Sequence, residues 1–186
     1  MIKGIPASAS ISWVAGTDEL LNGNGDVLID CTFCSTQLPQ TNRPFLIHSP
    51  INTLRELRAE GKVGRFCAWN TFLERKVWDI AITDITDDTW VNTIMDELKW
   101  AFCVVQDEPG LVAPRMVSNI INEAWYALQA GISSQPEIDL AMKLGTNYPY
   151  GPFEWGEKIG VDNINMLLTK LAGQQSFYQP AAAKTT

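Results

Sequence analysis

The sequence predicts an α/β region followed by an all-helical region, and three observations predict it. Short apolar runs bounded by turn residues alternate with helix-like spacing up to about residue 106, and beyond that point the apolar spacing is helical throughout. The third observation is size: 186 residues with 46% hydrophobic content can bury one large core or two small ones. The resulting organisation is an α/β domain over 1–106, a helical domain over 107–172 and a flexible tail over 173–186.

Asp26-Val27-Leu28-Ile29-Asp30-Cys31 follows the turn residues Asn22-Gly23-Asn24-Gly25 and reads as a buried strand. Phe45-Leu46-Ile47 is the second strand. Ser49-Pro50 offers a capping hydroxyl and a proline at the first helical position, with Leu54 and Leu57 at helical spacing, so a helix is expected to end near Gly61. Arg65 to Trp69 and Val77 to Ile82 are further strands. Thr86-Asp87-Asp88 opens a helix whose apolar face is Trp90, Ile94 and Leu98, its acids lying at the positive end of the helix. Phe102 to Val105 is the last strand, and the alternation predicts a mostly parallel sheet.

Pro109 to Ala130 has the spacing of a long helix stopped by Gly131. Ser134-Gln135-Pro136-Glu137 is a capping box for a helix through Leu144, with Gly145 as its expected terminator. A last helix is expected from Asp162 through Leu171.

A net charge of −7 and an isoelectric point near 4.7 oppose attraction to nucleic acid or to an anionic membrane surface. No apolar run reaches the roughly 20 residues of a membrane span, and Met1 to Pro6 lacks the apolar region of a secretory signal, so a cytoplasmic location is expected. The four cysteines, at 31, 34, 67 and 103, read as reduced thiols. Cys31-Thr32-Phe33-Cys34 has C-x-x-C spacing, but no second pair follows and His48 is the only histidine. A zinc site needs about four ligands, so no metal is expected.

Pro109-Gly110-Leu111-Val112-Ala113-Pro114-Arg115, Asn122-Glu123-Ala124, Glu137 to Gly145 and Tyr148-Pro149-Tyr150-Gly151-Pro152-Phe153-Glu154 together resemble the C-terminal domain of 3-hydroxyacyl-CoA dehydrogenases. The resemblance runs from roughly Arg65 to Leu171 and is most specific between Pro109 and Asp162. It implies a truncated Rossmann-like sheet followed by an all-α domain of the 6-phosphogluconate and 3-hydroxyacyl-CoA dehydrogenase C-terminal type. It also implies a homodimer formed through the helical domain and an acyl-CoA ligand. Arg115, Asn122 and Glu123 would then belong to helix packing, with Gly145 and Gly151-Pro152 at turns that a side chain would block. Tyr126, Tyr148, Tyr150, Phe153 and Trp155 fit either an interface or a core.

The first half departs from the family where its chemistry lies. Gly23-Asn24-Gly25 is only G-x-G, and it precedes a strand where the dinucleotide fingerprint precedes a helix. Arg65-Phe66-Cys67-Ala68-Trp69-Asn70-Thr71-Phe72 is similar to the family's R-F-[IA]-G-[LM]-H-F-F, which puts Asn70 at the catalytic histidine. Asparagine cannot take up the hydroxyl proton that a histidine base removes. The family's N-P-V-P is missing between Phe72 and Lys76, and the family's S-N-T-S-S is not restored by Ser49-Pro50-Ile51-Asn52-Thr53. Lys76-Val77-Trp78-Asp79 resembles K-L-V-E, so Asp79 stands for the glutamate that orients the histidine, and Pro114 replaces a site asparagine.

Two readings follow from the resemblance. In the first, NAD binding and catalysis are lost, no cofactor is expected, and the chain is a dimeric acyl-CoA-binding or interaction subunit. In the second, it is an active NAD-dependent 3-hydroxyacyl-CoA dehydrogenase of fatty-acid metabolism. Its site is then completed by a partner chain or rebuilt from His48 and Asp79.

Overall fold

The computed structural model describes residues 12, 14–72 and 75–181. The expectations for Met1 to Pro6 and for the last five residues lie outside these. The chain divides into two compact units, the first ending at Leu111 and the second starting at Val112.

The first unit is a five-strand sheet with strands in chain order: β1 Leu28–Asp30, β2 Phe45–His48, β3 Val63–Phe66, β4 Val77–Ile82 and β5 Ala101–Val104. Side chains alternate across it, as a pleated strand requires. Leu46, Phe66, Trp78, Ile80 and Ile82 pack on one face against Trp90, Val91, Ile94, Met95 and Leu98 of helix α2, Thr89–Leu98. Leu28, Phe45, Ile47 and Val63 pack on the other face with Leu54 and Leu57. Gly64 lies under α2, where a Cβ would meet Leu46 Cδ2 at 2.7 Å and Trp90 at 3.3 Å.

The sheet is mostly parallel, with an exception at its centre: β3 and β4 are antiparallel, pairing Gly64 with Ile82 and Arg65 with Ala81. Among the described residues of the connection over 67–76, the one helical element is the short 3-10 helix Asn70–Phe72. The connection is too short for the crossover of a dozen or more residues that a parallel neighbour needs.

The helix expected after Ser49-Pro50 is a single turn. Its cap is Thr53, whose amide donates to Glu56 Oε2 at 2.8 Å while the Glu56 amide donates to Thr53 Oγ1 at 3.2 Å. Arg58 then adopts a left-handed φ of 52°, and the Ala59 amide reaches back to Leu54 O at 2.9 Å. Gly61, also left-handed, turns the chain into β3. A further helix absent from the expectations, α1 Thr17–Asn22, precedes β1.

The second unit contains α3 Ala113–Gln129, α4 Gln135–Thr146, α5 Pro152–Ile159 and α6 Val161–Ala172. The capping box at Ser134 and Glu137 is formed as expected. Gly145 does not end α4: it lies inside the helix with nothing within 4 Å of its Cβ position, and left-handed Asn147 (φ 57°) ends the helix instead. Gly151-Pro152 does turn the chain, and the turn opens α5, a helix the sequence reading did not contain. Asp139 accepts the Phe153 and Glu154 amides there at 2.8 and 3.2 Å, and the Gly151 amide donates to Glu154 Oε2 at 3.0 Å.

Residues 173–181 belong to the segment expected to be a flexible tail, and the structure gives them defined contacts. A 3-10 turn at Ser176–Tyr178 follows α6, and Tyr178 and Ala181 are buried. Asn122 of α3 donates to Gln179 O at 2.9 Å and accepts from the Ala181 amide at 2.7 Å, while the Arg115 guanidinium lies 5.9 Å from the centre of the Tyr178 ring.

Candidate active site

The residues at which catalysis would be sought lie around β2, the β3–β4 connection and β4. Pairing places His48 opposite Phe66, so its side chain belongs to the face that carries α2. Asp79 alternates with Trp78 and Ile80 and shares the parity of Ala81 and Arg65, so it belongs to the opposite face. The sheet therefore separates His48 from Asp79.

His48 Nδ1 accepts the Ala68 amide at 2.7 Å, which ties the end of β2 to the chain leaving β3. Burial lowers its pKa to about 4, against the opposing pull of the Asp30 carboxylate. The neutral imidazole has its lone pair on Nδ1 committed to a backbone amide, so accepting a proton there would break the bond that holds the ring. Asp30 is itself buried and accepts from the amide of Thr32 at 2.8 Å and its hydroxyl at 3.0 Å.

Asn70 begins the 3-10 helix after β3 and is exposed to solvent. Asp79, buried in β4, receives a hydrogen bond from Arg75 Nη2, and that guanidinium also lies 5.6 Å from the centre of the Phe72 ring. The acid at the position of the family's orienting glutamate is thus neutralised by a cation four residues away. Pro114 is buried in the first turn of α3, where the missing amide of a proline does no harm.

Two places where a dinucleotide pyrophosphate would be sought, Gly23-Asn24-Gly25 and the N-terminus of α2, are built for other ends. Gly23-Asn24-Gly25 joins α1 to β1, and the Gly23 and Gly25 carbonyls accept from Arg43 Nη1 at 2.6 and 2.9 Å, so it is a turn closed by a cation. α2, which links β4 to β5, starts behind Asp84, Asp87 and Asp88. Three carboxylates there repel the anion that a helix N-terminus would otherwise attract. No group of three or more metal-ligating side chains is found among the described residues, where no helix is long and apolar enough to cross a membrane. Burial pushes the Cys31 thiol up to about 11, with Asp30 adding to the shift, while Cys34 is exposed.

The aromatic group of the helical unit is mixed. Phe153 and Trp155 are core residues, Phe153 meeting Trp125 edge-on at 5.1 Å and Trp155 flanked by Tyr148 and Tyr150 at 5.3 and 6.3 Å. Tyr126 is exposed and donates to Gln179 O at 2.9 Å.

Sequence reasoning missed Arg65 and Asp107. Arg65 is fully buried, and its Nε donates to Asp107 at 2.6 Å while Nη1 donates to Ser49 O at 2.8 Å. The available signal was an arginine inside an apolar strand, which demands a buried partner.

Residues 110–185 match the family described as 3-hydroxyacyl-CoA dehydrogenase, C-terminal domain. The chain is 51% identical over 67 residues to 3-hydroxyadipyl-CoA dehydrogenase of Escherichia coli K12, a stretch covering 36% of this chain and 14% of that protein. It is 39% identical over 84 residues to 3-hydroxybutyryl-CoA dehydrogenase of Clostridioides difficile, covering 43% of this chain and 30% of the relative. The crystal structure of 3-hydroxybutyryl-CoA dehydrogenase from E. coli K12 superposes with a TM-score of 0.62 at 30% identity, over 84% of this chain and 30% of the other. That of (S)-3-hydroxybutyryl-CoA dehydrogenase from Ralstonia eutropha gives a TM-score of 0.71 at 23% identity over 88% and 64%, a likeness of fold. The matches thus span 14% and 30% of these two curated relatives' lengths.

Proposed function

From the premise that this chain belongs, through its helical unit, to the 3-hydroxyacyl-CoA dehydrogenase family, we propose that it is a non-catalytic member: a dimeric subunit that binds an acyl-CoA or serves as an interaction partner. The observation that carries this reading is the fate of the dyad. Asn70 stands at the position that the resemblance gives to the base and is exposed, and Asp79 is occupied by Arg75. Removal of the 3-hydroxyl proton needs a base free to take it up; an asparagine amide cannot, and the Asp79 carboxylate is engaged by Arg75. The dimer contact is proposed for the helical unit, where Leu140 and Leu144, one turn apart on α4, are 53% and 79% exposed.

The second reading, an NAD-dependent dehydrogenase completed by a partner chain, is favoured by one fact. The matched relatives are named dehydrogenases, and the matches span 14% and 30% of their lengths, so most of such an enzyme lies outside the matched stretches.

The test is NADH oxidation by concentrated protein with acetoacetyl-CoA, beside calorimetric titration of acetoacetyl-CoA and sedimentation of the free protein. The expected result is a flat absorbance trace with measurable ligand binding and a dimer. Turnover abolished by Asp79→Ala or His48→Ala would overturn the non-catalytic reading.

A further inference from the structure

The geometry points to an anion site in the first unit: a cleft of about 390 Å³ between the Thr53–Ala59 turn, the end of β4 and Asp107, which binds a phosphate dianion, free or carried as a monoester. It does not rest on the acyl-CoA reading. The volume lies in the range of small-molecule sites, roughly 300–1,000 Å³. Arg55 and Arg58 both line the cleft and are exposed, while Leu54 and Ile82 provide buried apolar walls.

Charge decides the ligand. Among the described residues neither Arg55 nor Arg58 is in an ion pair, in a chain where acids outnumber bases by 21 to 14. The acid lining the cleft, Asp107, is already engaged: it accepts from Arg65 Nε at 2.6 Å, from the Leu54 amide at 3.0 Å and from the Arg55 amide at 3.2 Å. Thr83 donates its hydroxyl to Gly61 O. The unspent charge of the cleft is therefore that of two guanidinium forks, which match a tetrahedral dianion, whereas a carboxylate would leave one of them unmatched.

The backbone gives an independent sign. Arg58 holds a φ of 52°, a conformation that a glycine would adopt with less strain. The turn that imposes it is fixed by the Thr53–Glu56 exchange and by the Asp107 carboxylate, so both arginines are carried on a preorganised segment.

The experiment is a backbone-amide NMR titration with inorganic phosphate, phenyl phosphate and benzoate, on wild type, Arg55→Gln and Arg58→Gly. Phosphate and phenyl phosphate are expected to move the amides of residues 54–59 and 83, with benzoate about tenfold weaker. Each substitution should weaken phosphate binding about tenfold, and Arg58→Gly should do so while keeping or raising the melting temperature. Tighter binding of phenyl phosphate assigns the site to an organic ester, and equal binding assigns it to free phosphate; either upholds it. Binding unchanged by both substitutions, or benzoate equal to phosphate, would overturn the proposal.

Discussion

Arg65, wholly enclosed in β3, donates from Nε to Asp107 at 2.6 Å and so ties the centre of the sheet to the segment that follows β5. Its other nitrogens donate to the carbonyls of Ser49 and Glu108, and Asp107 also accepts the amides of Leu54 and Arg55. Burial lowers the Arg65 pKa while Asp107 opposes that shift. Asp107→Ala would leave a buried guanidinium without its counter-ion, a loss of about 3–5 kcal/mol. The double variant Arg65→Met with Asp107→Ala should lose less than the sum of the two single changes. Urea denaturation of the four proteins measures the coupling, and a cost below about 1 kcal/mol for Asp107→Ala would reduce the pair to the rank of a surface contact.

His48 gives the first unit a pH dependence of defined sign. Its folded pKa, about 4, lies below the ordinary 6.5, so between those values the unfolded chain binds the additional proton. The stability it contributes is complete above pH 6.5 and is lost progressively as pH falls toward 4, by on the order of 3 kcal/mol. In His48→Asn the amide oxygen can still accept from Ala68 and nothing titrates. The difference between the wild-type and variant stability curves should therefore be flat above pH 6.5 and shift progressively in the variant's favour as pH falls from 6.5 toward 4.5. Parallel curves across that range would refute the shift.

Two glycines in the helical unit should respond in opposite directions. At Gly145, inside α4 with open space around its Cβ position, alanine gains helix propensity worth about 0.5–1 kcal/mol. At Gly151 a Cβ would meet the Asp139 carboxylate at 2.3 Å, displacing the acceptor of the Phe153 and Glu154 amides. Gly151→Ala should cost about 1–3 kcal/mol. Thermal melts of the two variants, one above and one below wild type, check the assignment.

What the sequence disclosed and what it hid divide by sequence separation. The strands and the α2 face were legible because apolar runs and helical spacing are local, and the Ser134–Glu137 box spans four residues. The Thr53–Glu56 exchange is equally local, but Ser49-Pro50 offered the more conspicuous start signal, and the left-handed Arg58 that stops the helix after one turn has no mark in residue type. The antiparallel β3–β4 step was implied by the short connection alone. Arg65 and Asp107 are 42 residues apart, and His48 and Ala68 are 20 apart, so their pairing follows only from the folded sheet. Arg75 and Asp79 are near in sequence, yet a strand pattern gives no reason to look four residues back. The substitution of Asn70 was visible only through the family resemblance; the separation of His48 from Asp79 by the sheet needed the register.

The segment after α6 is the clearest case of a polar sequence held by one distant side chain. Asn122 donates to Gln179 O and accepts from the Ala181 amide, 57 and 59 residues away, and Tyr126 donates to the same Gln179 carbonyl. Asn122→Ala removes both bonds of a buried amide and leaves the Ala181 N–H without an acceptor, which should cost about 1–3 kcal/mol. Asn122→Asp keeps the acceptor for Ala181 but sets a carboxylate oxygen against the Gln179 carbonyl, so it should release the segment almost as fully. Hydrogen exchange of the amides over 174–181 reads the effect directly. Both variants should exchange there faster than wild type by at least about tenfold while α3 keeps its protection, since about 1.4 kcal/mol of lost local stability corresponds to that factor. Unchanged exchange would mean that burial of Tyr178 and Ala181 holds the segment without help from Asn122.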